Sequence, residues 1–345
     1  MTRTQRLLKL LNKKDISAMI VTDRKNVYYL SGFYGTAGYL AITPHKKLLV
    51  TDFRYTEQAK AQAAEYEVAD IKDFKLEDFF GGETVAFENE TISYAEYTAL
   101  SKKIKNLVCA DGILRTMRSV KDPNETEYIK KAVSISDKAF EHILKFIKPG
   151  VTENEIAAEI EYCMRKLGAE RTSFDTIAVS GAHTSRPHAQ PTDKKIKNGE
   201  FVVMDFGCTY KGYCSDMTRT IGVGGVSDDM KKVYNTVLNA QTSALKMLCE
   251  GVTGRQAHMC AEDIINKDYK GTFGHALGHG VGLDIHEHPN LSPKNEIPLV
   301  RGNVVTVEPG IYIPDFCGVR IEDMGVVTQN GFNDFTKSPK ELIIV

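Results

Sequence analysis

The sequence predicts an α+β protein in which an internally duplicated C-terminal domain, 119–345, follows a smaller α/β domain, 1–118. Two observations support this fold class. Strand-like and helix-like segments alternate before residue 118, and segments of the remaining chain resemble one another, with acidic residues at equivalent positions. At 345 residues the chain is long enough for two domains, each with its own hydrophobic core.

In the N-terminal domain, short runs of branched apolar residues predict strands, and the segments between them have helical composition. The first residues, MTRTQRLLKLLNKKD, have the pattern of an amphipathic helix and lack the continuous apolar stretch of a signal peptide. The predicted strands are 17–22, 38–43, 47–51 and 84–88, and the further predicted helices are 53–65 and 93–105.

The C-terminal domain begins with clear helix signals. Asp122 and Glu125 form a capping box with a proline at the first helical position. Thr152 and Glu155 form the same pattern, and Gly168 is the predicted C-cap of that second helix. Two helices are therefore expected before the first acidic strand of this domain.

The C-terminal domain also repeats itself. The tripeptide Gly-Val-Thr occurs twice, each time before a helix-like segment. GEFVVMDFG aligns with GNVVTVEPG, which makes Asp205 equivalent to Glu308, and GYCSD aligns with GVRIE, which makes Asp216 equivalent to Glu322. Such a repeat predicts two copies of one α+β half that face each other, each contributing two carboxylates to a site at the pseudo-symmetric centre.

These four carboxylates and His279 are the candidate metal ligands. Oxygen-rich ligands with one imidazole suit a hard or borderline divalent metal rather than a structural zinc. Four negative charges balance two such ions, and two ions together can activate water for hydrolysis. Acidic residues inside apolar strands are otherwise uncommon, because burying an uncompensated charge costs several kcal/mol. The residues alone therefore predict a two-metal hydrolase.

The spacing of the acidic residues predicts two hairpins. The interval between Asp205 and Asp216 is odd, so a turn of two or four residues makes them direct cross-strand partners. The interval between Glu308 and Glu322 is even, which suits a turn of three or five residues about Pro314-Asp315-Phe316. Like charges placed so closely are destabilising unless a cation lies between them.

Three further histidines, His188, His275 and His286, are candidate functional residues. The last two lie with His279 in GHALGHGVGLDIHE, where repeated glycines argue against a regular helix and for a backbone held close to a ligand. Histidine titrates near neutral pH, so such side chains can stabilise an oxyanion or transfer protons. For His188, the sequence leaves a functional and an ordinary structural role equally open.

Composition excludes several other classes of protein. The formal net charge is −1, with 44 basic and 45 acidic residues and no basic tract, so no binding surface for nucleic acid or an anionic membrane is expected. No apolar run reaches the ~20 residues of a membrane span. The seven cysteines lack CxxC pairs, which is typical of free thiols in a reducing cytoplasm. Those near the candidate ligands, Cys208, Cys214 and Cys317, are interpreted as small buried side chains.

Five segments of the C-terminal domain resemble the pita-bread metallopeptidases, specifically their proline-specific branch, aminopeptidase P and Xaa-Pro dipeptidase (prolidase). These segments are MDFG, YCSDMTRT, GHGVGLDIHE, EPGIY and GVRIED. NVYYLSGF and TDFRY similarly resemble the creatinase-type N-terminal domain of that branch, so the resemblance covers the whole chain. It implies two divalent ions, usually manganese with cobalt or zinc as alternatives, small proline-containing peptides as substrates, and a cytoplasmic homodimer.

The resemblance assigns the ligand roles. Asp205, Asp216, His279, Glu308 and Glu322 match the metal ligands of the family. Asp216 and Glu322 match the two that bridge both ions. The family mechanism implies a metal-bridging hydroxide that attacks the carbonyl before proline, with Glu308 as the general base.

The resemblance also implies roles for residues around the metals. His188 and His286 match histidines that stabilise the tetrahedral intermediate and move protons to the leaving imino nitrogen. His275 matches a residue that lines the pocket for proline, and His188 is a further substrate-binding candidate. Tyr312 and Arg320 match residues hydrogen-bonded toward the first aspartate ligand, a role that chemistry supports because carboxylate ligands need orienting partners.

Three alternatives remain open at this point. A methionine aminopeptidase shares the five-ligand pattern, but the additional N-terminal domain and the YCSDMTR motif disfavour it. A non-catalytic peptide- or protein-binding module on the same fold typically loses the metal ligands, whereas all five are present here. Within the proline branch, the sequence does not separate a dipeptidase from an aminopeptidase, and it leaves the role of Arg186 open.

Overall fold

The computed structural model describes all 345 residues, and the chain divides into two compact units, Met1–Arg118 and Ser119–Val345. Each unit is built around its own buried apolar residues. None of the helices combines the length and the apolar character needed to span a lipid bilayer.

The N-terminal unit is a six-stranded mixed sheet with accompanying helices. Its strands are β1 (Ala18–Val21), β2 (Tyr39–Ile42), β3 (Lys47–Thr51), β4 (Glu67–Asp70), β5 (Thr84–Phe87) and β6 (Asn106–Cys109). Its helices are α1 (Arg3–Asn12), α2 (Arg24–Ser31), α3 (Thr56–Gln62), α4 (Leu76–Phe80), α5 (Tyr94–Ser101) and α6 (Ile113–Ser119). The strand order is β4-β3-β2-β1-β5-β6, antiparallel between β1, β2 and β3 and parallel in the other pairs.

All four strands predicted for this unit are confirmed, as is the amphipathic first helix. The two strands that the pattern missed, β4 and β6, lie at the sheet edges, where the side chains of EVAD and NLVC are half-buried or exposed rather than alternating. The helix predicted over 53–65 begins only at Thr56, because the preceding residues form a turn closed by the hydrogen bond from Tyr55 N–H to the Asp52 carbonyl oxygen.

The C-terminal unit carries four long helices and two main sheets. The helices are α7 (Pro123–Ile143), α8 (Glu153–Lys166), α9 (Asp228–Met247) and α10 (Gly254–Ile265), with a short 3-10 helix at Gly181–Ser185. The strands are β7 (Arg171–Thr172), β8 (Ile177–Ser180), β9 (Glu200–Phe206), β10 (Cys208–Tyr210), β11 (Tyr213–Cys214), β12 (Met217–Val223), β13 (Gly278–Gly280), β14 (Glu287–Leu291), β15 (Val304–Val307), β16 (Gly310–Ile313), β17 (Cys317–Arg320), β18 (Asp323–Thr328) and β19 (Gly331–Asp334). The main sheets have the orders β12-β9-β8 and β14-β13-β15-β18-β19.

The predicted duplication is visible in both helices and sheets. Thr152 caps α8 and Thr253 caps α10, each in a capping box, and each threonine also makes an isolated β-bridge to a later segment. In one half, α7 and α8 share a core with β9 and β12; in the other, α9 and α10 share a core with β15 and β18. This arrangement is the pita-bread fold, and the prediction of two similar α+β halves is confirmed.

The helix signals of the sequence also hold in this unit. Asp122 accepts from the Glu125 N–H and begins α7, with Pro123 in its first turn. After the last turn of α8, Gly168 has a φ of 101°, a left-handed conformation that a glycine adopts at little cost.

Candidate metal centre and catalytic cavity

The first two candidate carboxylates belong to the hairpin that runs from β9 to β12. Lys211 and Gly212, with φ of 51° and 76°, form a two-residue turn of the kind favoured in hairpins. The resulting register pairs Asp205 with Thr218, so the predicted direct pairing of Asp205 with Asp216 is wrong. The turn lies one residue later than that pairing requires. The two aspartates are instead diagonal neighbours on one face of the hairpin.

The other two carboxylates belong to the equivalent hairpin of the second half. One register continues from the β15–β18 pair to the β16–β17 pair and places Glu308 opposite Glu322. Ile313 pairs with Cys317, which leaves a turn of three residues, one of the two predicted lengths. The predicted cross-strand relation of Glu308 and Glu322 is therefore confirmed.

His279 lies on strand β13 rather than on a helix, as the surrounding glycines predict. A Cβ on Gly278 would lie 2.1 Å from the Thr306 carbonyl oxygen, so glycine is required where β13 passes this segment. The His279 Nδ1 lies 3.1 Å from the Gly280 carbonyl oxygen. Because a carbonyl oxygen only accepts, Nδ1 carries the proton and Nε2 keeps its lone pair. Burial lowers the pKa of His279 to about 4, so the imidazole is neutral and suited to bind a metal.

The five candidate ligands converge on one cavity. His279 Nε2 lies 3.5 Å from Asp216 Oδ2 and 3.4 Å from Glu308 Oε1. The ligand atoms of Asp216, His279 and Glu322 all lie within 4.8 Å of one another. Asp205 and Glu308 line the same cavity, about 540 Å³ in volume, with these three residues. Asp216, His279 and Glu322 are thus the tightest group, and the other two carboxylates lie beside it.

Arg320 is the one guanidinium that lines the cavity with the clustered carboxylates, and its single charge does not balance four of them. Burial, and then the charges of Asp205 and Glu308, raise the pKa of Asp216. Burial likewise raises the pKa of Glu308 to about 8 and, with the charge of Asp216, the pKa of Glu322. Asp205 Oδ1 and Glu322 Oε1 are buried without a hydrogen-bond partner. Divalent cations supply both the missing charge and the missing partners, so the residues fit such ions.

A chain of hydrogen bonds orients Asp205. Arg320 Nη2 donates to Asp205 Oδ2 at 2.6 Å, and Arg320 Nη1 donates to the Tyr312 hydroxyl at 2.8 Å. The Tyr312 hydroxyl in turn lies 3.0 Å from His275 Nε2. Since His275 Nδ1 donates to the Ala276 carbonyl oxygen at 2.8 Å, its Nε2 accepts and the tyrosine is the donor. Arg320 thus contacts the carboxylate directly, whereas Tyr312 reaches it only through Arg320.

Comparison with protein-family models identifies both units. Residues 3–120 match the creatinase/prolidase N-terminal domain, and residues 127–329 match metallopeptidase family M24. The chain belongs to metallopeptidase family M24. Membership in this family implies divalent metal ions, in agreement with the charge and the unpartnered oxygens of the cavity.

Relatives of this M24 metallopeptidase extend over nearly the whole chain. The sequence is 38% identical over 349 residues to the Xaa-Pro dipeptidase of Pyrococcus horikoshii, covering 99% of this chain and 98% of that protein. The structure of an Xaa-Pro dipeptidase from Bacillus anthracis superposes with a TM-score of 0.95 at 42% identity and 99% coverage of both chains. An X-Pro aminopeptidase from Thermotoga maritima gives a TM-score of 0.92 at 39% identity and 100% coverage of both.

The remaining histidines of the M24 cavity differ in whether their ring nitrogens already make hydrogen bonds within the chain. His188 and His286 are exposed and line the cavity, and neither ring makes a hydrogen bond within the chain. The His286 ring lies 4.4 Å from the His279 ring, edge to face. His275 also lines the cavity, but the contacts of both its nitrogens are internal. Only His188 and His286 can therefore offer a ring nitrogen to a bound molecule.

Two threonines that the sequence reading missed support the M24 carboxylates. Thr306 Oγ1 donates to Glu308 Oε1 at 3.1 Å, and Thr218 Oγ1 donates to Glu322 Oε2 at 2.7 Å. The sequence could have predicted the role of Thr306. Thr306 lies two residues before Glu308 along an extended segment, and side chains two apart share a face.

The residues whose role the sequence left open are not among those that line the cavity of the candidate ligands. Arg186 lines a separate pocket with Asp315. Cys208, Cys214 and Cys317 are buried, as interpreted from the sequence. Burial raises the pKa of Cys208 to about 11 and that of Cys317 to about 12, which disfavours the reactive thiolate.

Proposed function

We propose that this M24 metallopeptidase hydrolyses the bond between a first residue and a following proline, with two divalent ions, Mn²⁺ by preference. The observation that carries this proposal is the convergence of all five candidate ligands on one cavity, with two buried carboxylate oxygens left without a partner. The names of the relatives, Xaa-Pro dipeptidase and X-Pro aminopeptidase, support proline as the second residue.

The residues that would hold the ions are Asp205, Asp216, His279, Glu308 and Glu322. Bound ions would polarise the scissile carbonyl and lower the pKa of a coordinated water. The protein prepares this centre by keeping His279 neutral and by directing its free Nε2 toward the carboxylates. Glu308 is the proposed general base, because its carboxylate lines the cavity beside the other proposed ligands, with Oε1 3.4 Å from His279 Nε2.

Proton delivery is a particular demand of an Xaa-Pro bond. The nitrogen of this bond belongs to a tertiary amide without an N–H, and it must gain a proton to leave as a secondary amine. His188 and His286 are the proposed donors, since both line the cavity with ring nitrogens that no other group of the chain occupies. The same N–H groups can donate to the oxyanion that forms at the carbonyl.

The proline ring itself needs an apolar wall. Phe174, Ile177 and Ile285 line the cavity and supply apolar surface. His275 contributes a fixed ring rather than a proton, because Tyr312 and the Ala276 carbonyl oxygen occupy its nitrogens. Burial lowers the pKa of His275 to about 4, so it is neutral and does not add a charge beside the ring.

Peptide hydrolysis by the manganese-loaded protein tests the proposal. We expect cleavage of at least one of Ala-Pro and Ala-Pro-Gly, and no cleavage of Met-Ala-Ser. Activity on Met-Ala-Ser alone would instead favour the methionine aminopeptidase alternative. Protein that neither retains added Mn²⁺ nor cleaves any of the three peptides would favour a non-catalytic binding module. The cytoplasmic location and the homodimer remain predictions.

A further inference from the structure

We infer that the site acts on the N-terminus of peptides that continue beyond proline and disfavours free Xaa-Pro dipeptides. This inference rests on the proposed function and specifies its substrate class. A dipeptide places the carboxylate of its proline inside the cavity, whereas a longer peptide places a neutral peptide bond there. The charges of the lining side chains therefore decide between the two substrates.

The cavity offers no free cation. Its lining includes no lysine and a single arginine, Arg320. Arg320 is 3% exposed, and four of the five N–H groups of its guanidinium are already directed at Asp205, Tyr312, Thr218 and the Pro187 carbonyl oxygen. Arg320 therefore cannot turn toward a substrate without abandoning the carboxylate that it orients.

With two divalent ions bound, the charges of the lining leave no surplus positive charge for a substrate, because Arg320 does no more than match the additional carboxylate of Asp175. Asp205, Asp216, Glu308 and Glu322 together match two divalent cations, and Asp175 adds a fifth carboxylate to the same lining. The two imidazoles that remain free, His188 and His286, carry the proposed proton-donating roles. A substrate carboxylate would lose part of its hydration in this cavity without gaining a partner of opposite charge, which is unfavourable.

Neutral hydrogen-bonding groups occupy the cavity instead. Gln190, Asn290 and Ser292 line it, and the side-chain amides of Gln190 and Asn290 are exposed and make no hydrogen bond within the chain. An amide offers a donor and an acceptor together, so it can pair with both the C=O and the N–H of a peptide bond, whereas it supplies no positive charge to a carboxylate. These residues suit a chain that continues beyond proline.

The decisive comparison uses Ala-Pro and Ala-Pro-NH₂, which have nearly the same size and differ in the charge at the proline carboxyl group. We expect the manganese-loaded protein at pH 8 to show a kcat/KM about tenfold or more higher for the amide. Ala-Pro-Gly should behave like the amide. An equal or higher kcat/KM for Ala-Pro would overturn the inference and leave the proposed function intact, whereas no cleavage of any of the three would contradict the proposed function itself.

A binding measurement tests the preference for a neutral group over a carboxylate on proline without requiring peptide hydrolysis. Proline and prolinamide contain no Xaa-Pro bond, and calorimetric titration of the loaded protein should show tighter binding of prolinamide. Tighter binding of proline would count against the inference.

Substitution at the cavity wall tests the electrostatic cause. Asn290→Lys adds a cation to the lining, and Asn290→Met adds a neutral side chain of similar length. The lysine variant should raise the ratio of Ala-Pro to Ala-Pro-NH₂ cleavage by about tenfold relative to the methionine variant. Equal ratios in the two variants would show that charge does not set the preference.

Discussion

At the scale of single residues, charge determines what the cavity can hold. Asp216 is 5% exposed, and its carboxylate faces His279 and two other acidic side chains. Such a carboxylate is stable in its ionised form only beside a cation, because its burial and the neighbouring acidic charges both disfavour the ionised form. Sequence reasoning found Asp216 because GYCSD aligns with GVRIE, which makes Asp216 equivalent to Glu322. It could not find the tautomer of His279, which depends on the position of one carbonyl oxygen.

We expect Asp216→Asn to fold and to lose metal binding. The amide keeps the shape of the side chain but removes one of the charges that the ions need, and metal content after dialysis measures the loss. The control is Asp175→Asn, which removes an acidic side chain of the same cavity that is not a candidate ligand. Asp175→Asn should retain two ions. Two ions in dialysed Asp216→Asn would refute the ligand set.

At the scale of elements, the position of a turn decides whether the sequence predicts the register of a hairpin. The three-residue turn of the second hairpin follows from the spacing of Glu308 and Glu322. The first hairpin does not follow so simply, because two residues with positive φ, Lys211 and Gly212, move its turn by one position. Moving a turn by one position shifts the cross-strand pairing by two residues, so Asp205 and Asp216 stay on the same face of the hairpin. The sequence spacing therefore predicts their shared face but not the cross-strand partner of either residue.

Gly278→Ala tests how strand β13 holds His279. The added Cβ would lie 2.1 Å from the Thr306 carbonyl oxygen, so the strand must move away and carry His279 with it. We expect a loss of about 1–3 kcal/mol in the free energy of unfolding and a fall of about a hundredfold in kcat/KM.

Gly274→Ala is the matched control for that strand. It adds the same methyl group four residues earlier in the same motif, where nothing lies within 4 Å of the new Cβ. It should leave both quantities nearly unchanged. If urea denaturation and peptide hydrolysis fail to distinguish the two alanine variants, close strand packing is not what positions His279.

At the scale of the whole molecule, duplication makes the catalytic unit predictable. Two aligned segments, each an acidic strand followed by a turn and a second acidic residue, suffice to infer two facing halves. The N-terminal unit has no such redundancy, and its edge strands β4 and β6 carry too few buried side chains to produce a hydrophobic pattern in the sequence.

The stability of the N-terminal unit also depends on a buried carboxylate that the composition of the sequence does not reveal. Glu88 lies at the end of β5 and is 7% exposed.

The pH dependence of unfolding tests the role of Glu88. Its carboxylate accepts hydrogen bonds from the backbone N–H groups of Thr22 and Asp23 and from the Asn26 side chain, at 2.6, 2.8 and 2.7 Å. These bonds favour the ionised form, but burial prevails and raises the pKa of Glu88 from 4.5 to about 7. An acid with a raised pKa binds its proton more tightly in the folded state, so it contributes stability at low pH that is lost as the pH rises from about 4.5 to about 7.

Glu88→Gln cannot titrate, so the free energy of unfolding of the wild type should fall relative to this variant by about 3 kcal/mol between pH 4.5 and pH 8. Urea denaturation of the full chain at several pH values measures this difference. The exposed Glu83→Gln is the control and should run parallel to the wild type. Parallel curves for Glu88→Gln as well would mean that Glu88 titrates alike in the folded and unfolded chain, and that its hydrogen bonds offset its burial completely.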